Sequence, residues 1–308
     1  MKRRPRTASR EARRRQVRRR RLSLLAILAA LAAVLVALLS SSGGRAGAHH
    51  RSSPAAAARA KAGSAPASAP RAPGYPETAE LRRLIALGKP IYCAPDRGNE
   101  VALTFDDGPG PYTKLMLDKL AKHHVEATFF IVGRNIALAP SLLARERRAG
   151  AVGDHTWTHP LLTALGAGEQ EAQIARTQEA VAAASGGPVF LFRPPYGAHD
   201  AVTDRIARER GLLEILWNVD SRDSLGASYA QIEQTVTAGL RPGSIILMHE
   251  NHGQTVRAML TIFAALRRRG LRAVSVPQLL SDDPPSPAQL RAAGGDCGLA
   301  PGAALSGG

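Results

Sequence analysis

From residue 101 onward the chain alternates short, uninterrupted apolar runs with longer stretches in which apolar residues recur every three or four positions. The runs are VALTF (101–105), ATFFIV (127–132), PVFLF (188–192), LLEILWNV (212–219), SIILMH (244–249) and RAVSV (272–276). Runs of about four to eight such residues read as strands covered on both faces, the form that parallel sheets take. The stretches between them are amphipathic. YTKLMLDKLAKH (112–123) places Leu115, Leu117, Leu120 and Ala121 largely on one side of a predicted helix. TVRAMLTIFAALRRRG (255–270) predicts another, with a basic last turn and Gly270 as its C-cap. Strand–helix alternation of this length predicts an α/β domain with a mostly parallel sheet, open or closed into a barrel. No internal repeat is visible, and residues 281–308 read as a polar tail rich in Pro and Gly.

Polar residues collect where the apolar runs stop. Asp106 and Asp107 end one predicted strand, Arg193 ends another, Asp220 follows a third and His249 ends a fourth, while His155 and His159 follow AVGD. In parallel α/β folds the C-terminal ends of the strands share one mouth, so these residues are predicted neighbours despite their separation in sequence.

The part of the chain before this pattern is built differently. The formal net charge of +16 first points to nucleic acid, and its distribution argues against that. Residues 1–21 carry 12 Lys or Arg against one acid, whereas residues 73–308 carry 24 basic and 24 acidic residues. The folded part is thus neutral, and nucleic acid is not an expected partner. The basic segment runs into the 18 uncharged residues Leu22 to Leu39. At about 1.5 Å per residue these span roughly 27 Å, near the thickness of a bilayer core. With Arg on their N-terminal side, they predict a single-pass anchor that leaves residues 1–21 cytoplasmic and exports the rest. The alternative is a signal peptide cut near Ala48, within AGA (46–48), which would release the domain. Residues 40–75 are Ala, Ser, Pro, Gly and Arg with almost no large apolar side chain, a flexible spacer. The predicted organisation is therefore a basic tail (1–21), a membrane segment (22–39), a linker (40–75), a catalytic domain (76–285) and a C-terminal tail (286–308). In an oxidising compartment the two cysteines, Cys93 and Cys297, are expected to pair.

The candidate chemistry starts with HTWTH (155–159). Two His at i and i+4 share one face of a helical turn, and with a nearby carboxylate they would form a metal site with an open position, the arrangement of a hydrolytic zinc centre. Taken singly, such a His pair, an Arg at a strand end or a His closing an apolar strand is more often a surface, ion-pair or core residue. Five signals in order, all at predicted strand ends, are harder to treat as accident.

TFDDGP (104–109), HTWTH (155–159), RPPY (193–196), DSRD (220–223) and LMH (247–249) together resemble the five motifs of the NodB-type polysaccharide deacetylases, carbohydrate esterase family four. The resemblance covers roughly residues 99–280. It implies a distorted (β/α) barrel holding one divalent metal, usually zinc, and the removal of acetyl groups from a sugar polymer. It implies Asp107, His155 and His159 as metal ligands and Asp106 as general base, held ionised by Arg193. His249 becomes the general acid, tuned by Asp223. The backbone N–H of Tyr196 would help stabilise the oxyanion, Leu247 would line an acetyl pocket, and Pro194 would belong to the substrate-binding turn. Two departures stand out: Ser224 occupies the place of a usual Trp after the second Asp of DSRD, and AGAVGDH lacks the common Gly-His-Glu before the metal histidines. His199 and His252 lie near motifs without belonging to them and read as ordinary residues, and Phe129 and Phe130 read as core. The expected substrate is peptidoglycan N-acetylglucosamine, with chitin oligomers and acetylated xylan as alternatives. A non-catalytic glycan-binding relative is the competing class, and the expected state is a monomer.

Overall fold

The computed structural model describes residues 77–291. The apolar segment 22–39, the linker and Cys297 lie outside the described residues. Among those described, no helix is long and apolar enough to cross a membrane.

The architecture is a distorted (β/α) barrel, an eight-stranded parallel sheet curled on itself with helices around it. In chain order the elements are α1 (Ala79–Leu87), β1 (Glu100–Gly108), α2 (Thr113–His123), β2 (Ala127–Ile131), α3 (Pro140–Ala149), β3 (Gly150–Asp154), α4 (Ala167–Ser185), β4 (Leu191–Phe192), α5 (Ala201–Glu209), β5 (Leu213–Glu214), β6 (Val219–Asp220), α6 (Tyr229–Gly239), β7 (Ile245–His249), α7 (Gly253–Arg268), β8 (Arg272–Val274), α8 (Val276–Asp282) and α9 (Pro287–Arg291). The strands lie in the order β5-β4-β3-β2-β1-β7-β6, with β8 pairing the start of β1.

Alternation along each strand sorts its side chains into two buried layers. Val101, Leu103, Phe105, Phe129, Ile131, Val152, Phe192, Ile246 and Met248 pack outward against the helices. Ala102, Phe130, Ala151, Leu191, Leu213, Ile215 and Ile245 fill the interior, whose floor is closed by α1 and α8 through Leu84, Val276 and Leu279. Phe129 and Phe130 are both core, on opposite faces of β2.

Several predicted elements take a different form. LLEILWNV is two strands: Leu213–Glu214 pair with β4 and Val219–Asp220 pair with β7, so one stretch of chain bridges the two ends of the sheet. The extended segment at Ile91–Ala94 reinforces this closure. Ile91 N donates to Glu214 O (2.9 Å), Leu216 N to Ile91 O (2.7 Å), and Ala94 N to Gly243 O (2.8 Å). GAVGD (150–154) forms β3, a strand whose two Gly hide it from an apolarity reading; Gly153 is needed because a Cβ there would meet Phe130 at 2.7 Å. PVFLF shrinks to two strand residues, and RAVSV ends at Val274 because Ser275 caps α8 by accepting from Gln278 N. In α2 the buried apolar residues are Met116, Leu117 and Leu120, whereas Leu115 is 52% exposed and Ala121 is exposed. Part of the expected tail is structured: Asp283 is buried against Arg97 (2.5 Å), and α9 follows.

Candidate active site

Asp106 and Asp107 end β1 in a way that simple alternation forbids. Adjacent strand residues point to opposite faces. Here the pairing with β2 slips, with Asp106 opposite Phe130 and Gly108 opposite Ile131, so Asp107 is bulged out with a left-handed φ of 70°. Both carboxylates therefore turn into the barrel mouth. Asp106 Oδ2 and Asp107 Oδ1 lie 3.6 and 3.8 Å from His155 Nε2.

The histidines also arrive by a route other than the predicted helix. HTWTH is a loop, with Thr156 and His159 in the left-handed region at φ 66° and 62°. Asp154, buried at the end of β3, shapes it by accepting from Thr156 N (2.7 Å), and Thr156 Oγ1 accepts from His159 N (3.1 Å). The two rings end 4.8 Å apart. His155 Nδ1 lies 2.7 Å from the carbonyl of Arg193. A carbonyl only accepts, so Nδ1 carries the proton and Nε2 presents a lone pair to the mouth. His159 Nε2 is 3.5 Å from Asp107 Oδ1. The ligand atoms of Asp107, His155 and His159 lie within 4.8 Å of one another. Zinc bonds of about 2.0–2.2 Å place neighbouring ligand atoms roughly 3.3 Å apart, so the set fits a divalent ion with one position left open. Burial lowers the His159 pKa, which favours the neutral ring that a metal requires.

Arg193 is completely buried beside these groups. Its Nη1 donates to Asp106 Oδ1 (2.7 Å) and to Thr104 Oγ1 (2.8 Å), its Nε to Ile215 O (3.0 Å) and its Nη2 to Leu216 O (3.2 Å). The guanidinium stacks 4.1 Å over Phe130. Burial lowers its pKa, yet a guanidinium stays charged at any working pH.

On the neighbouring strand His249 pairs in register with Asp106. Its Nδ1 is 2.7 Å from Asp223 Oδ1, and its backbone N donates to Asp223 Oδ2 (2.7 Å). Asp223 also accepts from Thr255 Oγ1 (2.5 Å) and Ser224 N (2.8 Å). Burial opposes the charged imidazole. The hydrogen bond and charge of Asp223, joined by the charges of Asp106 and Asp107, outweigh it and push the His249 pKa up to about 9. These bonds to His249 and Thr255 likewise hold Asp223 below the usual carboxylate range against its burial.

The polysaccharide deacetylase profile matches residues 94–215. Over 194 residues the chain is 36% identical to the chitooligosaccharide deacetylase of Rhizobium leguminosarum bv. trifolii, a match covering 58% of this chain and 90% of that one. The chain belongs to the polysaccharide deacetylase family. It is also 39% identical over 184 residues to the peptidoglycan-N-acetylglucosamine deacetylase of Listeria monocytogenes; 59% of this chain is covered, and it spans 39% of that relative's length. A family 4 carbohydrate esterase from Streptomyces lividans, solved in complex with acetate, matches at 40% identity with a TM-score of 0.56, over 59% of this chain and 95% of that one.

Tyr196, 67% exposed with φ 62°, stands edge-on to His159 at 4.8 Å. Leu247 shares the inward face of β7 with His249, two residues on. Pro194 is buried, and its carbonyl accepts from Gly197 N (3.1 Å). Asp220 accepts from Arg222 N (2.7 Å). Ser224 is exposed. Trp217 lies against the Gly197 turn, where a Cβ would meet it at 2.8 Å, and its ring is 5.5 Å from the Arg193 guanidinium.

Other residues of the site were not evident from the motifs. Asn251 Nδ2 donates to Asp107 Oδ2 (3.2 Å) and Asn135 Nδ2 to the Asp107 carbonyl (3.0 Å), fixing the bulge from two sides. Thr104 was visible only as the first letter of TFDDGP. Behind the bulge Glu250 is fully buried, accepts from the Thr113 hydroxyl and occupies the space that a side chain at Gly108 would need. Burial, and then the neighbouring Glu146, raise its pKa well above the ordinary range, while burial takes Glu146 to about 7. An acid one residue beyond a strand end carries no periodic signal that marks it as buried.

Proposed function

We propose that this chain is a metal-dependent hydrolase that removes N-acetyl groups from a polysaccharide, with peptidoglycan N-acetylglucosamine as its substrate. The observation that carries the reading is the placement of two differently held proton carriers, Asp106 on Arg193 and His249 on Asp223, beside the Asp107–His155–His159 set. A divalent ion held by those three residues would supply a Lewis acid that polarises the acetyl carbonyl and acidifies water. Asp106 takes the proton of the attacking water, and Arg193 keeps it ionised and oriented for that task. Negative charge growing on the carbonyl oxygen meets the backbone N–H of Tyr196. His249 gives its proton to the departing amine, which leaves only when protonated, and Asp223 keeps the imidazolium available. Leu247 lines the wall for the acetyl methyl.

Peptidoglycan is favoured by the organisation of the chain: a basic segment, an apolar stretch of membrane length and a long spacer before the domain. We read residues 22–39 as an anchor that holds the domain outside the membrane, at wall distance. The Listeria relative bears the peptidoglycan name. The full-length chain loaded with Zn²⁺ should release acetate from peptidoglycan faster than from chitin oligomers or acetylated xylan. Faster release from chitin oligomers overturns the substrate, release from xylan alone overturns the amide specificity, and sugar binding without acetate overturns the hydrolase. We also propose that Cys93 pairs with Cys297, so the denatured, unreduced chain should show no titratable thiol.

The alkaline limb of activity should report His249. Folding raises its pKa above the unfolded value of about 6.5. Its contribution to stability is therefore complete below that pH and is lost as pH rises through about 9. Activity falls in the same direction, because the proton to be donated is gone. A cation on Asp107 cancels part of the charge that raises this pKa, which sets about 9 as the upper bound for the limb. Asp223→Asn should move the limb of kcat/KM down by roughly one to two pH units. A limb that does not move would remove His249 from the donor role.

A further inference from the structure

We propose a second divalent-cation site, formed by His199, Asp204 and Glu214, which takes a borderline ion such as Zn²⁺ on one imidazole nitrogen and two carboxylate oxygens. The three residues come from separate parts of the chain. His199 lies in the loop after the Pro195–Gly197 turn, Asp204 stands in the first turn of α5, and Glu214 closes β5. Their ligand atoms lie within 4.8 Å of one another. His199 Nδ1 is 2.7 Å from Asp204 Oδ1 and 3.5 Å from Glu214 Oε1. The second distance already suits two donors on one zinc ion, and the first must open by only about 0.6 Å to reach the roughly 3.3 Å separation.

Glu214 is the observation that asks for a ligand. Leu213 turns into the barrel interior, so the alternation of β5 sends Glu214 to the outer layer, where α5 packs. It is 4% exposed, and among the described residues no donor is hydrogen-bonded to either of its carboxylate oxygens. A buried carboxylate without donors opposes folding unless it is protonated or bound to a cation. Burial first, with Asp204 adding to it, pushes its pKa up to about 8. Among the described residues the charged groups that act on it are His199 and the acidic Asp204, and the pKa of nearby Tyr92 is itself raised by burial and then by the charges of Glu214 and Asp204. An ion pair between His199 and Asp204 satisfies those two and leaves Glu214 with no more than the longer 3.5 Å contact of its Oε1 to His199 Nδ1. A divalent ion satisfies all three. His199 and Asp204 keep side-chain exposures of 22% and 27%, which gives the ion a path from solvent. Once bound, it would clamp the loop that carries Arg193 and Tyr196 to α5 and β5.

The test is metal stoichiometry on the full-length chain, stripped with chelator, saturated with Zn²⁺ or Co²⁺ and desalted. The wild-type chain should hold about one equivalent more than Glu214→Gln or Asp204→Asn, both near-isosteric. His155→Ala should lose a different equivalent, and His155→Ala with Glu214→Gln should lose both. Asp204 is partly exposed, so Asp204→Asn separates loss of the site from loss of the fold. Zn²⁺ should also raise the Tm of His155→Ala, and Glu214→Gln in that background should abolish the rise. Stoichiometry unchanged in both Glu214→Gln and Asp204→Asn overturns the proposal and leaves an ion pair beside a protonated Glu214.

Discussion

Asp106→Asn is expected to lower acetate release by about 10²–10⁴-fold while the chain keeps its metal. The replacement is isosteric, so its side-chain oxygen can still accept from Arg193 Nη1, now 2.7 Å from Asp106 Oδ1. It cannot take a proton. Proximity to His155 does not separate the two aspartates, since Asp106 Oδ2 is at 3.6 Å and Asp107 Oδ1 at 3.8 Å. His159 does separate them: among the described residues it is Asp107 that lies 3.5 Å from its Nε2, whereas Asp106 is committed to Arg193. Elemental analysis beside the activity assay decides the matter. Loss of metal in Asp106→Asn, with metal kept in Asp107→Asn, would exchange the two roles.

The second large effect concerns Arg193. Arg193→Ala should cost about 3–5 kcal/mol of stability, because it leaves Asp106 as a buried charge without its partner and opens a cavity over Phe130. Its guanidinium also joins Thr104, Ile215 and Leu216, so four points of the barrel wall lose a common donor. Arg193→Lys should recover little, since a single ammonium cannot satisfy a fork of this shape. The thermodynamic cycle with Asp106→Asn is informative: the double variant should be more stable than the sum of the single losses, because the unpaired charge is removed. Urea denaturation measures both. A loss below about 1 kcal/mol for Arg193→Ala would mean that the buried ion pair contributes nothing specific.

Where the sequence was legible, the reason was burial on both sides. β1, β2 and β7 are runs of apolar residues because helices cover one face and the packed interior the other, and the reactive groups stand at their ends as parallel topology requires. Long-range pairing hid the rest. β3 is held by its neighbours and built from small residues, so GAVGD has no apolar run to mark it as a strand. The stretch 212–219 is one run in sequence and belongs to two strands in space, because its two ends pair with β4 and β7. Leu115 and Met116 compete for one helical face, and packing chose Met116. At the site, the order of motifs located the residues, but the spacing argument for HTWTH was wrong in mechanism. Left-handed residues at Thr156 and His159 bring the imidazoles together, not a helical turn. The bulge at Asp107 is likewise invisible in TFDDGP, since nothing local announces that one residue of a strand will be skipped. Glu214 and His199 left no periodic mark, because their meeting depends on how α5 lies against β5.

The strap at Ile91–Ala94 has a bearing on solubility. The last strand of an open sheet offers bare amides and carbonyls that can template pairing with another chain. Here Ile91 occupies those groups on Glu214 and Leu216, and the chain beyond them turns directly to the opposite end of the sheet. Ala94 then ties the strap to Gly243, at the foot of β7. The residues between α1 and β1 thus act as a guard against edge-to-edge association, a task separate from the chemistry at the other end of the barrel.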